Sequence, residues 1–140
     1  LIIADTNVVS ELMAPSPSAR VREWIRLERL VHDVCVTTVN VAEILYGIEL
    51  LPRGKRRDGL LSAEEAMFAE EFVSRILSFD EPAAPAFAEI AATRRSQGRP
   101  ISEFDAQIAS IARANGAALA TRNTADFEGC GIRVVNPWVD

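Results

Sequence analysis

The sequence predicts a three-layer α/β domain: a five-stranded parallel sheet with helices on both faces. Three observations predict it. Short apolar runs alternate along the chain with segments of helical periodicity. The runs are continuously apolar rather than alternating, as parallel strands buried on both faces require. The 140 residues, 49% of them apolar and 25% charged, supply one core and are too few for two, so residues 1–140 read as a single domain.

Each element follows from local chemistry. Leu1-Ile2-Ile3-Ala4 is the first strand, and Asp5-Thr6-Asn7 after it could cap a helix. Val21, Trp24, Ile25, Leu27 and Leu30 repeat at helical spacing over 19–30, with Ser16-Pro17-Ser18 as the cap. Val34-Cys35-Val36-Thr37 is the second strand, and Thr38 opens a helix over 39–51. Residues 52–59 read as a basic loop, and Ser62-x-x-Glu65 as a capping box for a helix to about 75. Residues 76–79 form the third strand. Helices follow over 82–97, closed by Gly98, and 103–115, capped by Ser102 and stopped by Asn115-Gly116. Residues 117–121 and 132–135 are the last two strands.

Composition excludes several classes. Seven glycines and seven prolines are ordinary globular usage, so disordered and collagen-like readings fail. Two cysteines make no disulfide framework, and Cys35, inside an apolar run, reads as a buried thiol suited to the cytoplasm. No apolar stretch approaches the roughly 18 residues of a membrane span, and no basic-then-apolar leader precedes the first strand. A net charge of −5 argues against a broad electrostatic grip on nucleic acid, while leaving local patches open.

Ligands of parallel sheets bind at the carboxyl ends of the strands. Four acids can be placed there. Asp5 directly follows strand one, although a capping residue would look the same. Glu43 has Val39, Tyr46, Gly47 and Leu50 on its helix face, where a solvated Glu would have polar neighbours. Asp105 shares its face with Ile101, Ile108, Ala109 and Ala112, and could also be a capping partner of Ser102. Asp126 follows strand four and alone would read as a turn residue. Neighbouring carboxylates repel unless protonated or bound to a cation. Hard oxygen ligands select Mg²⁺ or Mn²⁺, and the single histidine, His32, reads as a surface residue. Such a site has no imidazole base and would activate water through the metal, which suits phosphodiester hydrolysis. Two helices lie between strands three and four. For Asp105 to reach this edge, the first of them must cross the sheet or end near that edge.

Rival signatures are absent. Gly54-Lys55-Arg56 lacks the rest of a P-loop, and neither G-x-G-x-x-G nor G-x-S-x-G occurs. Asp5-Thr6-Asn7 lacks the second acid of a D-x-D motif. A receiver domain would use Asp80 and a lysine after the last strand, but the only lysine is Lys55.

The ordered set of motifs resembles a known family. Ile3-Ala4-Asp5-Thr6-Asn7-Val8-Val9-Ser10-Glu11, Val41-Ala42-Glu43-Ile44 with Gly47, Ile101-Ser102-Glu103-Phe104-Asp105-Ala106-Gln107-Ile108-Ala109, Ala120-Thr121-Arg122-Asn123-Thr124-Ala125-Asp126-Phe127 and Asn136-Pro137-Trp138 are similar to the PIN-domain toxins of VapC type, particularly the FitB-like ones. The resemblance runs from residue 2 to about 138. It implies a PIN fold and a Mg²⁺- or Mn²⁺-dependent endoribonuclease, the toxin of a bacterial toxin–antitoxin pair. It implies that Asp5, Glu43, Asp105 and Asp126 bind the metal, with Asp126 supplying the last charge because Asn123 is neutral. Thr6, Asn7, Thr121 and Asn123 would orient the carboxylates. Products would carry 5′-phosphate and 3′-hydroxyl ends. The resemblance also implies an antitoxin whose arginine could lie on the acids, a homodimer, and a toxin–antitoxin hetero-oligomer. Leu45, Leu51, Phe68 and Phe72 are candidates for the dimer interface or for core packing. Two basic clusters could meet RNA phosphates: Arg53, Lys55, Arg56 and Arg57, and Arg94, Arg95 and Arg99. A non-catalytic module holding a cation and a basic peptide is the alternative, and a DNA nuclease a third reading.

Overall fold

A computed structural model describes residues 1–72 and 75–140. Among the described residues five strands, β1 (Ile2–Ala4), β2 (Val34–Thr37), β3 (Ile76–Leu77), β4 (Ala118–Ala120) and β5 (Val134–Val135), pair in parallel in the order β3-β2-β1-β4-β5. Their side chains alternate between two cores. Ile2, Ala4, Val34, Val36, Ala118 and Ala120 enter one; Ile3, Cys35 and Leu119 enter the other. Both faces are covered, so the strands are apolar throughout, as expected.

On the first face lie α1 (Thr6–Met13), α2 (Ala19–Val31), α3 (Thr38–Glu49) and α4 (Lys55–Ala66). They contribute Val8, Val9, Val21, Ile25, Ile44, Ile48, Leu60 and Leu61 to its core. On the second face α5 (Ala83–Ser96) and α6 (Glu103–Ala114) pack along each other and contribute Ala83, Ile90, Ile108 and Ile111. The chain builds outward from β1 to β2 and β3, then returns to place β4 on the other side of β1. This reversal opens a crevice between β1 and β4 at their carboxyl ends.

The caps follow the sequence with small shifts. The Ser18 hydroxyl accepts from the Val21 N–H, and the Ser102 hydroxyl accepts from the Asp105 N–H. Thr37, one residue earlier than expected, caps α3 in a capping box with Asn40. Gly98 takes the left-handed conformation after α5.

The expectation for 52–75 is corrected. Lys55, Arg56 and Arg57 are not loop residues but the first turn of α4, and Ser62 is exposed in mid-helix rather than a cap. Lysine and arginine are good helix formers. Gly54, at φ 154°, gives the entry a backbone that residues with a Cβ avoid. The register is set by Leu60 and Leu61, which pack on the core. Beyond α4 a π turn covers Met67–Glu71, and residues 73 and 74 of the expected helix lie outside the described residues. Phe72 is fully buried and belongs to the core, so it is unavailable to a dimer interface. Leu45, Leu51 and Phe68 are half-buried. No helix among the described residues is long and apolar enough to cross a membrane.

Candidate metal and nuclease site

Asp5 is placed by β1 and by the need to begin α1. Its N–H donates to the Ala120 carbonyl, which continues the sheet by one residue. Its carbonyl accepts from Val8 and Val9. Asp5 is 5% exposed, and its carboxylate is surrounded by donors. Oδ1 accepts from the Thr6 N–H at 2.9 Å and from Asn40 Nδ2 at 3.2 Å. Oδ2 accepts from the Thr121 hydroxyl at 2.7 Å and, weakly, from Asn7 Nδ2 at 3.5 Å. The same residue is thus both helix cap and centre of a polar network.

The network extends in one consistent donor order. The Thr6 hydroxyl accepts from Asn40 Nδ2 at 3.1 Å and donates to Glu43 Oε1 at 3.0 Å. The Thr121 hydroxyl accepts from Asn7 Nδ2 at 3.0 Å and from the Asn123 N–H at 3.1 Å. Asn7 Oδ1 accepts from the Arg122 N–H at 3.1 Å. Thr6, Asn7 and Thr121 therefore fix the carboxylates through their side chains, and Asn123 acts through its backbone. Asn40 is fully buried and was not among the expected site residues. Its signal was present: a polar side chain in Val39-Asn40-Val41, three residues after Thr37.

Asp105 reaches this edge because α6 runs back across the sheet towards the start of β4, so its first turn lies at the carboxyl ends of the strands. The preceding helix also ends near this edge. Arg94, in the last turn of α5, donates to the carbonyls of Asp126 and Glu128. Asp5, Glu43 and Asp105 line one cleft of about 510 Å³ with Thr6, Asn7, Ser10, Glu11, Arg122, Asn123 and Trp138. Asp126 is exposed on the 3₁₀ turn Thr124–Phe127 and does not line the cleft, although its charge acts on Asp5 and Asp105. Among the described residues, no three Asp, Glu, His or Cys side chains already converge as an ion's ligands. A larger cleft of about 600 Å³, beside α2 and the π turn, has no comparable group of acids.

Burial is the main cause that raises the pKa of Asp5, Glu43 and Asp105 above the ordinary carboxylate range. Hydrogen bonds from Thr121, Thr6 and Asn40 oppose the rise at Asp5, one from Thr6 at Glu43, and one from Ser102 at Asp105. Mutual repulsion adds to it: Asp126 at Asp5, Asp5 and Asp105 at Glu43, Asp5 and Asp126 at Asp105. The sign of the linked stability follows. The folded chain holds these protons to higher pH than the unfolded chain. Their contribution to stability is therefore fully present below the unfolded values, near 4, and is lost as pH rises through the folded ones. Thermal unfolding in chelator should show the Asp105→Asn midpoint rising relative to wild type as pH increases from about 4. An unchanged slope in Asp105→Asn would refute the coupling.

The side chains available as ligands in the cleft are oxygens alone. His32 lies near Leu1 at the opposite, amino edge of the sheet, with its Nδ1 3.0 Å from Glu28 Oε2. Cys35 and Cys130 are buried. The long contact from Asn7 leaves Asp5 Oδ2 with a lone pair that is only weakly used. This donor set fits a hard divalent cation and not zinc.

The basic residues divide. Arg94 is 5% exposed, and its guanidinium is spent on carbonyls of Arg99, Asp126 and Glu128, so the expected RNA contact there is corrected to a buried brace. Arg95 is exposed. Arg99 pairs with Glu128 and Arg57 with Glu49. Arg53, Lys55 and Arg56 are exposed, and Arg56 lines a recess that shares Thr6, Ser10 and Glu43 with the acidic cleft.

This chain and its fold have counterparts among known proteins. The PIN domain pattern matches residues 2–129. The chain is 43% identical over 138 residues to the plasmid stability protein StbB of Pseudomonas syringae pv. tomato, covering 99% of each. It is 36% identical to Toxin FitB of Neisseria gonorrhoeae over the full length of both, and 34% identical to the VapC ribonuclease Y4jK of Sinorhizobium fredii over 99% of this chain and 98% of that one. Among solved structures, FitAB bound to an IR36 DNA fragment superposes with a TM-score of 0.86 at 37% identity, covering 99% of this chain and 96% of that one. The chain belongs to the PIN-domain family, of the VapC and FitB type.

Proposed function

We propose that this chain is one PIN domain acting as a metal-dependent endoribonuclease, the toxin of a bacterial toxin–antitoxin pair. The observation that carries the reading is the single cleft lined by Asp5, Glu43 and Asp105, which come from three separate segments and are braced by Thr6, Asn40 and Thr121. Relatives named as a toxin and as a ribonuclease support it. Asp5, Glu43 and Asp105 would hold Mg²⁺ or Mn²⁺, with Asp126 adding negative field from the rim. Such an ion supplies Lewis-acid polarisation of a phosphate oxygen and a lowered pKa for water.

The chain's own residues do the rest. Thr6 and Thr121 spend their hydroxyl protons on Glu43 and Asp5, which keeps those carboxylates oriented and their remaining lone pairs facing the cleft. No histidine lies in the cleft, so no imidazole exchanges a proton with substrate. With water rather than the 2′-hydroxyl as nucleophile, a new P–O bond forms and the P–O3′ bond breaks. The attacking water gives up one proton to solvent and the leaving 3′-oxygen takes one up from it, so the cut ends are 5′-phosphate and 3′-hydroxyl. An antitoxin peptide presenting an arginine to the acids would inhibit by the same charge complementarity.

Purified protein should cleave RNA with Mg²⁺ or Mn²⁺ and stop in chelator, leaving 3′ ends that a poly(A) polymerase extends. Cleavage that persists in chelator, or cyclic phosphate ends, would overturn the mechanism. Preference for matched DNA over RNA would reassign the substrate.

A further inference from the structure

Arg122 is the only cation lining the acidic cleft among the described residues, and it is not spent on the acids. It makes no ion pair there within 4.0 Å. Instead its guanidinium carbon lies 4.1 Å from the centroid of the Trp138 indole. Two anchors fix it. Its backbone N–H donates to Asn7 Oδ1, and Asn7 in turn contacts Asp5 and Thr121. Its side chain rests on Trp138, whose backbone N–H donates to Asn136 Oδ1 at 2.9 Å. A stacked guanidinium keeps its edge donors free, in the planar fork that matches two phosphate oxygens.

The location gives the fork a purpose. The cleft otherwise presents Asp5, Glu11, Glu43 and Asp105, on a chain of net charge −5. A polyanion entering such a cleft needs a positive contact that is not already neutralised. We propose that Arg122, held on the Trp138 indole, is a positioning residue that grips a phosphate of the substrate strand beside the acidic cleft. This rests on the nuclease reading and adds a specific substrate contact to it. Neither expected basic cluster contains Arg122, because it stands alone between Thr121 and Asn123. Only the fold brings Trp138 beneath it.

The test is equilibrium binding of a short, mixed-sequence, fluorescently labelled single-stranded RNA to the Asp105→Asn protein, read by anisotropy across a salt series. Adding Arg122→Ala should weaken binding roughly tenfold and make the slope of log K against log salt shallower by about 0.7. Arg122→Lys should restore that slope but only part of the affinity, because the charge returns without the fork. Trp138→Leu should give an intermediate loss with the slope largely kept. A merely structural Arg122 would lower the unfolding midpoint without changing the salt slope. An Arg122→Ala protein whose affinity and slope match its parent overturns the proposal, as does a loss confined to binding of a partner protein. A parent that binds no RNA, beside a wild type that cleaves none, refutes the nuclease reading itself and this proposal with it.

Discussion

Asp5→Asn should lower RNA cleavage by roughly a thousandfold, equivalent to about 4 kcal/mol of transition-state stabilisation. Asp5 is the most buried of the cleft acids, and its carboxylate receives four donors. Asparagine keeps one oxygen and replaces the other with an NH₂. If the oxygen takes the Oδ1 place, the NH₂ opposes the donors of Thr121 and Asn7. The fold should therefore also lose about 1–2 kcal/mol. Asp105→Asn separates the two effects. Asp105 is half-buried and Ser102 is the one hydrogen-bond partner that lowers its pKa, so cleavage should fall by a similar order while thermal stability in chelator at neutral pH is kept or raised. Single-turnover cleavage beside thermal unfolding measures both. Activity within tenfold of wild type in either variant would remove that carboxylate from the mechanism.

Arg94→Met should cost roughly 3–5 kcal/mol of folding stability. The methylene stem is replaced, but the guanidinium is not. Its Nε donates to the Arg99 carbonyl at 2.8 Å, and Nη1 donates to the carbonyls of Asp126 and Glu128 at 2.8 and 3.1 Å. Those acceptors would lose their donor in a region where Cys130 and Phe127 are buried. Arg94 also joins the end of α5 to the turn that carries Asp126, so the variant should loosen that acid's position. Urea unfolding gives the stability, and the salt dependence of RNA binding tests the role. A loss below about 1 kcal/mol would contradict the brace. A salt slope that changes with stability kept would restore Arg94 to the RNA-contact set.

The strands and most helices were legible because their signals are local. Continuous apolar runs bounded by Asp, Thr or Gly specify buried strands, and Ser18 and Ser102 stand where the caps stand. That Glu43 and Asp105 would join Asp5 at one cleft was legible because they lie on faces that offer a solvated carboxylate no polar neighbours. What failed was decided at longer range. The start of α4 depends on Leu60 and Leu61 finding the core, and it overrides the pattern around Ser62. Arg94 looked like its neighbours Arg95 and Arg99 in sequence. Only the return of the chain through β4 brings the carbonyls of Asp126 and Glu128 to it. Asp126 could be placed after β4, but its exposure on a 3₁₀ turn depends on side-chain direction, which spacing does not encode. Asn40 carried a local signal as a capping residue, whereas its contact to Asp5 crosses from the first turn of α3 to the end of β1.

Electron paramagnetic resonance of Mn²⁺ titrated into the protein interrogates the shared pocket without relying on any chosen RNA. Saturable binding is predicted for wild type, weakened about tenfold or more by Asp5→Asn and by Asp105→Asn and insensitive to Arg122→Lys. Equal Mn²⁺ affinity in wild type and both carboxylate variants would contradict a common cation site built from these segments.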